Sequence, residues 1–527
     1  MSTDWIDLNR SFVPHRPADE RETAAFQSYF RAREHGPLDW PRLLEHGRVV
    51  VLGEAGSGKT CEFQAQTNRL RESGRTAFFL RVEQLADTGV EGALDPSDLH
   101  ALRAWRSGDQ PATLFLDAVE EARLSKHTQF ETALRSLAGF LGDAVARCSI
   151  VLSSRITGWH ADDADIVSRL LGAGPGARPG EPHPDLPEGL AVVELAALNT
   201  TQIRQLADQE TDDPDAFLDA IEQRDAWDFA GRPYDVLGLL RYWTTHGALG
   251  SLTEIIEDDV ARKLREDNPN RHHRAPLTPE KARQGAEALA AASVLSRRLT
   301  FAATGAVAAD GTLDPEAVLA EWKPDEVRAL LERPVFDEAA FERVRFHHRH
   351  VSEYLAAGWL KRLLDAGAPR QAVAGLLFRP SHGRTEVVPD ALAPVAAWLA
   401  GKESWVRKRL MAVDPDVLLE HGDPSAIPPE ERAILLKRLM EHHRFRPGLT
   451  PTAQLHRLAD PSLGPAVAEM LRDPELSADQ KELLLRLVAI GRLPGASTEA
   501  AKLAADRTQP EGVRRLAVEA VAMAGGR

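Results

Sequence analysis

Gly53-Glu-Ala-Gly-Ser-Gly-Lys59-Thr60 sets three glycines, a lysine and a threonine within eight positions. These residue types suit one task. Glycines let backbone N–H groups turn inward around phosphate oxygens, Lys59 adds a positive charge at the β- and γ-phosphates, and the Thr60 hydroxyl is a ligand for Mg²⁺. Gly53, Glu54, Ala55, Gly56, Ser57, Gly58, Lys59 and Thr60 are therefore the candidate binding loop for a nucleoside triphosphate. Phosphoryl hydrolysis also needs an acid for the magnesium shell and a group that handles the attacking water. The stretch Leu114-Phe-Leu-Asp117-Ala-Val-Glu120-Glu121 offers both. Asp117 ends a short apolar run, and Glu120 or Glu121 follows within one turn, placed to orient or deprotonate water. The same glutamates would also favour the first turn of a helix through its dipole. Arg155, just past the apolar run Ser149–Ser153, is a further candidate for phosphate contact, with a structural salt bridge as the alternative.

The elements that must position these groups follow from the pattern. Val49–Leu52 is a buried β-branched run, the glycine loop follows it, and a helical stretch closes at Gly74; strand, loop and helix in that order are the context a phosphate loop requires. Thr76–Arg81, Thr113–Leu116 and Ser149–Ser153 are further candidate strands separated by helical patterns. Such alternation predicts an α/β P-loop NTPase domain, a parallel sheet with helices on both faces and ligand chemistry at the strands' carboxyl ends.

The whole chain sets the bounds. Its 527 residues are enough for three or four domains at roughly 100–200 residues each. A net charge of −15 argues against a constitutive electrostatic grip on nucleic acid or an anionic membrane. Two cysteines, Cys61 and Cys148, build no zinc-type spacing, and the start Met1-Ser-Thr-Asp-Trp5 lacks the layout of a signal peptide. No apolar run reaches the roughly 20 residues that span a bilayer, so a reduced, cytoplasmic setting is expected. Asn199-Thr-Thr201 matches a glycosylation sequon but reads better as a helix start, with Asn199 as cap and Gln202 three residues on.

Taken together, Gly53–Thr60, Leu114–Glu121 and Leu152-Ser-Ser-Arg155 resemble the nucleotide domain of NACHT-type STAND NTPases, relatives of the AAA+ ATPases. Glu120 stands where that family more often has aspartate. Val192–Ala207 looks like the strand and helix leading into the family's helical domain, and Asp228–Leu240 like its Gly-x-Pro segment. The resemblance implies that Pro233 packs near the adenine; Tyr234 replaces a commoner aliphatic residue. His347, His348 and His350 fall within four positions. A metal site would want His347 and His350 plus another ligand, and no cysteine or acidic cluster of such spacing is near. In the family pattern Phe346-His347-His348 occupies the Phe-x-His motif of a winged helix, which implies that His348 reaches the β-phosphate of ADP while His347 and His350 cap or pack.

The expected map is a helical extension over 1–45, the P-loop NTPase domain over 46–195, a helical domain over 196–267, a winged-helix-like domain over 268–365 and a HEAT-like helical region over 366–527. Gly172–Pro187 reads as a surface loop and Asn268–Pro279 as a polar break. Asp-Pro pairs at Asp414, Asp423, Asp460 and Asp473 read as helix starts. The end, Ala522-Met-Ala-Gly-Gly-Arg527, carries no polar capping repeat, as in part of a longer polypeptide or array. The implied function is an ATP- and Mg²⁺-dependent switch, a slow regulatory ATPase, that closes on ADP, senses a protein or foreign-molecule trigger through its C-terminal helices and self-associates when active. Bacterial relatives of this design work in antiphage defence or signalling. Two other classes stand beside it: a P-loop transcription regulator with a DNA-binding winged helix, and a scaffold whose P-loop is structural. The acidic charge and the lack of a basic recognition helix weigh against the first.

Overall fold

The computed structural model describes residues 6–15, 38–54, 56–117, 129–155, 159, 162–172, 174–175, 186, 189–265, 277–303, 311–340, 343–380, 386–441 and 452–525. The chain divides into two compact units. The first comprises Met1–Asp212, Phe229–Gly238 and Asp337–Val344; the second comprises Asp213–Asp228, Leu239–Phe336 and Arg345–Arg527.

The first unit is built on a sheet in the order β2 (Leu38–Asp39), β1 (Ser11–Pro14), β7 (Leu190–Leu195), β3 (Arg48–Leu52), β6 (Cys148–Ser154), β5 (Ala112–Asp117) and β4 (Thr76–Arg81). From β7 to β4 the strands run parallel. Central β3, Arg-Val-Val-Val-Leu, is buried on both faces, as a β-branched run in a parallel sheet must be. Its period of two sorts the cores. Val50 and Leu52 face one layer with Phe78, Leu80, Leu114, Leu116 and Leu152, closed by helices Val82–Ala93 and Gln129–Leu141. Val49 and Val51 face the other with Phe12, Trp40, Phe63 and Phe115. In that layer Phe63, on the helix Lys59–Glu72 that follows the glycine loop, packs on Phe115 with ring centroids 5.2 Å apart, and Trp40 meets Phe12 edge-on at 4.9 Å.

Two expectations change here. The described part of the 1–45 extension carries two strands beside one short helix, Trp40–Leu43: Phe12 and Val13 pair antiparallel with Leu195 and Glu194, and β2 pairs with β1. Alternating Phe12 and Val13 satisfy the open edge of β7, an opportunity that a four-residue segment does not advertise. Asp423 and Asp460 do cap, each accepting from the backbone N–H two residues on, but they start 3₁₀ turns, Pro424–Ala426 and Pro461–Leu463. Pro428 and Pro465 follow, and a proline cannot continue the hydrogen-bond ladder. Most of Gly172–Pro187 and Asn268–Pro279 lies outside the described residues.

The second unit is mainly helical. Helices Pro279–Ser296 and Arg349–Asp365 pack together, and near their crossing Glu287, 3% exposed, accepts from Arg283 Nε (3.0 Å) and Arg362 Nη2 (2.7 Å). Gly358 makes room: a Cβ there would lie 2.8 Å from Glu287 Oε1. Short strands β8 (Thr300–Ala302) and β9 (Thr312–Leu313) pair in parallel, and Phe301 meets Phe336 and Phe346 ring to ring. Toward the C-terminus, helices Ala478–Gly491 and Ser497–Ala505 both pack on Glu511–Gly525. Among the described residues no helix is long and apolar enough to cross a membrane.

Candidate functional site

β3 delivers the chain at Leu52 to the glycine loop, and Gly53 N–H donates to Ser154 O (3.1 Å), which ties the loop's start to the carboxyl end of β6. Gly56 (φ +74°) and Gly58 (φ +94°) take left-handed backbone that other residues adopt only at a cost, and Gly58 hands the chain to the helix Lys59–Glu72. Lys59 is 8% exposed, and its Nζ donates to the carbonyls of Gly53 and Glu54. The Ser57 hydroxyl, also buried, has no hydrogen-bond partner among the described residues.

The magnesium-type donors meet at the strand ends. Thr60 Oγ1 donates to Asp117 Oδ2 (2.8 Å), and Ser153 Oγ donates to Asp117 Oδ1. Asp117, 3% exposed, thus holds two hydroxyls from different elements. Hydroxyl and carboxylate oxygens are the hard donors that Mg²⁺ selects, and a buried loop hydroxyl without a partner, beside a lysine among backbone groups, suits a phosphate. The residues present therefore fit both groups. Arg155 follows Ser154 directly at the same sheet edge and is half-buried. Glu120, Glu121 and Ala55 lie outside the described residues.

The Gly-x-Pro segment lies against the loop. Leu198 N–H donates to Gly231 O (2.9 Å), and Tyr234 N–H donates to Gly56 O (3.3 Å). A Cβ on Gly58 would lie 3.6 Å from Pro233 Cγ, and one on Gly56 only 2.8 Å from Tyr234 Cβ. Arg232 pairs with Asp337 at 3.2 Å. Asn199 and Gln202 form the expected capping box at the start of helix Thr200–Glu210, and Gln202 Nε2 goes on to donate to Leu8 O (2.9 Å).

That last contact leads to a residue that sequence reasoning missed. Arg10, 2% exposed, donates from Nη1 to Ser57 O (2.9 Å) and from Nη2 to Ala196 O (2.6 Å), so the N-terminal strand braces the glycine loop. Burial lowers the Arg10 pKa and raises that of Glu62, whose Oε2 accepts from Trp40 Nε1 at 2.9 Å. Ser153 was likewise unassigned, although its place at the end of a strand beside the acid was a signal. Nothing local marks Arg10.

His348 belongs to the second unit. It is the extended N-cap residue (φ −125°, ψ 140°) of helix Arg349–Asp365 and makes no side-chain cap bond. His347 N–H donates to Val335 O (2.9 Å). His350, in the helix's first turn, pairs with Asp228 Oδ2 and Glu353 Oε2, each at 3.5 Å, so it is an ion-pair residue.

A parallel sheet, a glycine loop running into a helix, and a Thr60–Asp117–Ser153 oxygen cluster at the strand ends define a P-loop α/β domain, followed along the chain by a helical region. No family model matches the chain, and no curated protein does. Among solved structures it is similar to AMPPCP-bound DnaA from Aquifex aeolicus (TM-score 0.28, 16% identity, covering 69% of this chain and 93% of that chain). It is also similar to replication initiator DnaA bound to AMPPCP and single-stranded DNA (TM-score 0.27, 14% identity, 67% and 91%). A third is the Aeropyrum pernix Orc1 protein in complex with DNA (TM-score 0.26, 12% identity, 67% and 94%). Likenesses of this size say nothing about what this chain binds.

Proposed function

We propose that the chain is a nucleotide-dependent switch of the STAND type, related to the AAA+ ATPases, that binds and slowly hydrolyses ATP. The observation that carries this reading is the joint placement of Lys59, Thr60 and Asp117 at the strand ends with Gly231–Tyr234 packed on the loop, since a segment touching the phosphate loop can report what the loop holds. Lys59 exchanges its carbonyl partners for phosphate oxygens, and the inward N–H groups of Gly53–Thr60 orient them. Thr60 and Asp117 hold the magnesium shell, with Ser153 steadying the carboxylate. Bound Mg²⁺ supplies charge neutralisation at the phosphates. Glu120 or Glu121 takes the proton of the attacking water, Arg155 contacts phosphate from the end of β6, Pro233 lies by the adenine, and His348 is the residue that distinguishes ADP.

In this reading the 268–365 region acts as a winged helix and the helices of 366–527 as a HEAT-like sensor for a protein or foreign-molecule trigger, with self-association in the active state. Antiphage defence or signalling is the setting it fits. The test is the nucleotide that copurifies with the chain, identified by mass, together with its turnover. Bound adenine nucleotide and slow Mg²⁺-dependent phosphate release support the switch; a chain that neither carries nor binds ATP or ADP is a scaffold instead.

A further inference from the structure

A glycine-rich loop receives phosphate only when its peptide N–H groups point the right way, and glycines alone do not fix that. Gly56 (φ +74°) and Gly58 (φ +94°) carry no side chain to restrict the peptides around them, so those planes turn at little cost. The hold comes from outside the loop. Gly56 O accepts from Tyr234 N–H (3.3 Å), and Ser57 O accepts from Arg10 Nη1 (2.9 Å). The second hold is the stronger one, because its donor is charged. It is also braced. Arg10 Nη2 donates to Ala196 O (2.6 Å) and Ala196 N–H donates to Ser11 O (3.0 Å), so the guanidinium is fixed by the seam that joins β1 to the end of β7.

Arg10 is a costly residue for a purely structural post. It is 2% exposed, forms no ion pair among the described residues, and its Nε–H has no hydrogen-bond partner among them. Glu62 attracts it at a distance but gives Oε2 to Trp40 Nε1. A buried charge without a hydrogen-bonded carboxylate lowers stability relative to a well-packed apolar side chain.

We propose that Arg10 is a positioning residue for phosphate binding: by holding Ser57 O on one side of the loop it fixes the Gly58 N–H on the other, where phosphate is received. The peptide between Ser57 and Gly58 is planar with its C=O and N–H opposed, so holding one aims the other. A Cβ on Gly58 would lie 3.7 Å from Arg10 Nη1, so the guanidinium backs the loop at contact distance. An N–H aimed before the ligand arrives needs no ordering on binding. Because Arg10 stands immediately ahead of β1, only a chain whose N-terminal strand is docked on β7 has its loop set for phosphate. The inference rests on the proposed nucleotide binding at Gly53–Thr60.

The test compares the full chain with Arg10→Met, Arg10→Lys and Phe12→Leu, by calorimetry with ADP at a temperature where each is folded, and by NMR. Labelling serine carbonyls with ¹³C and glycine amides with ¹⁵N selects Ser57–Gly58, Ser73–Gly74 and Ser107–Gly108, and the Gly58 signal is identified by its loss in Ser57→Ala. In the parent, ADP should move the Gly58 signal downfield. Arg10→Met should weaken ADP about tenfold and shrink that movement, as loss of a charged hydrogen bond does. Arg10→Lys keeps the charge but not the two-pronged fork, and should weaken ADP about threefold. Phe12→Leu trims the packing of β1 on Trp40 and leaves Arg10 in place, so it should lower the melting temperature while keeping ADP affinity and the Gly58 movement. Arg10 variants that match the parent in both readouts, or a loss in Phe12→Leu equal to that in Arg10→Met, would overturn the positioning role and leave the switch standing. Should Arg10→Met not fold, Arg10→Lys decides by the same comparison. A parent that binds no ADP would overturn both.

Discussion

His350 carries a pH dependence that can be worked from its surroundings. Its Nε2 faces Asp228 and its Nδ1 faces Glu353, each at 3.5 Å, and these two carboxylates, Asp228 first, hold its pKa up at about 9 against an ordinary 6.5. Asp228 is correspondingly pulled below the usual carboxylate range, chiefly by its bond to His350. At about 1.4 kcal/mol per unit the full shift would amount to roughly 3 kcal/mol. The imidazole is 45% exposed and Asp228 70% exposed, so solvent screening reduces the contribution to about 1 kcal/mol. Because the folded pKa lies above the unfolded one, this stability is present in full below pH 6.5 and is lost as pH rises through about 9. Nearby His421 has its pKa lowered by burial, so it is neutral throughout that window and does not mask the effect. Thermal unfolding of the parent and His350→Gln should differ most just below pH 6.5, with the gap narrowing through neutrality and closing above about pH 9. A His350 ring that titrates near 6.5 by NMR, or a gap unchanged across the window, would refute the ion-pair account.

Lys59→Ala should abolish tight nucleotide binding, since the charge at the β- and γ-phosphates goes with it; unchanged affinity by calorimetry would remove the site. Glu120→Gln with Glu121→Gln should leave ATP binding intact while slowing hydrolysis about 10²-fold, and normal turnover would show that neither handles water. His348→Leu should weaken ADP about tenfold to a hundredfold and ATP less, the loss of one hydrogen bond of about 1–3 kcal/mol, measured by paired titrations; equal losses would deny it a role in telling the two apart. Gly56→Ala should lower the melting temperature more than Gly74→Ala. Both positions have positive φ (+74° and +78°), costing roughly 1–2 kcal/mol for a Cβ, but only at Gly56 does the new atom meet Tyr234, at 2.8 Å. Equal shifts would mean that the Gly-x-Pro segment does not press on the loop.

What the chain displays locally could be read locally. The run Val49–Leu52, the loop to Thr60 and the helix behind it are consecutive, so residue types alone report strand, phosphate loop and helix, and β3 forms over Arg48–Leu52. The Asn199–Gln202 capping box spans three residues and was legible for the same reason. Two of the four Asp-Pro pairs were half legible: Asp423 and Asp460 cap, but the prolines that cut the turns to 3₁₀ lie a few positions further on, and the helix after Asp414 is capped by Pro415 instead.

Contacts between distant positions belong to the tertiary structure. Ser153 meets Asp117 across 36 positions because β5 and β6 are neighbours in the sheet, and strand order is not written in any one strand. Arg10 reaches Ser57 across 47 positions only because the antiparallel addition of β1 to β7 brings it to the loop. Tyr234 looks like a substitution in a turn until its Cβ is found over Gly56.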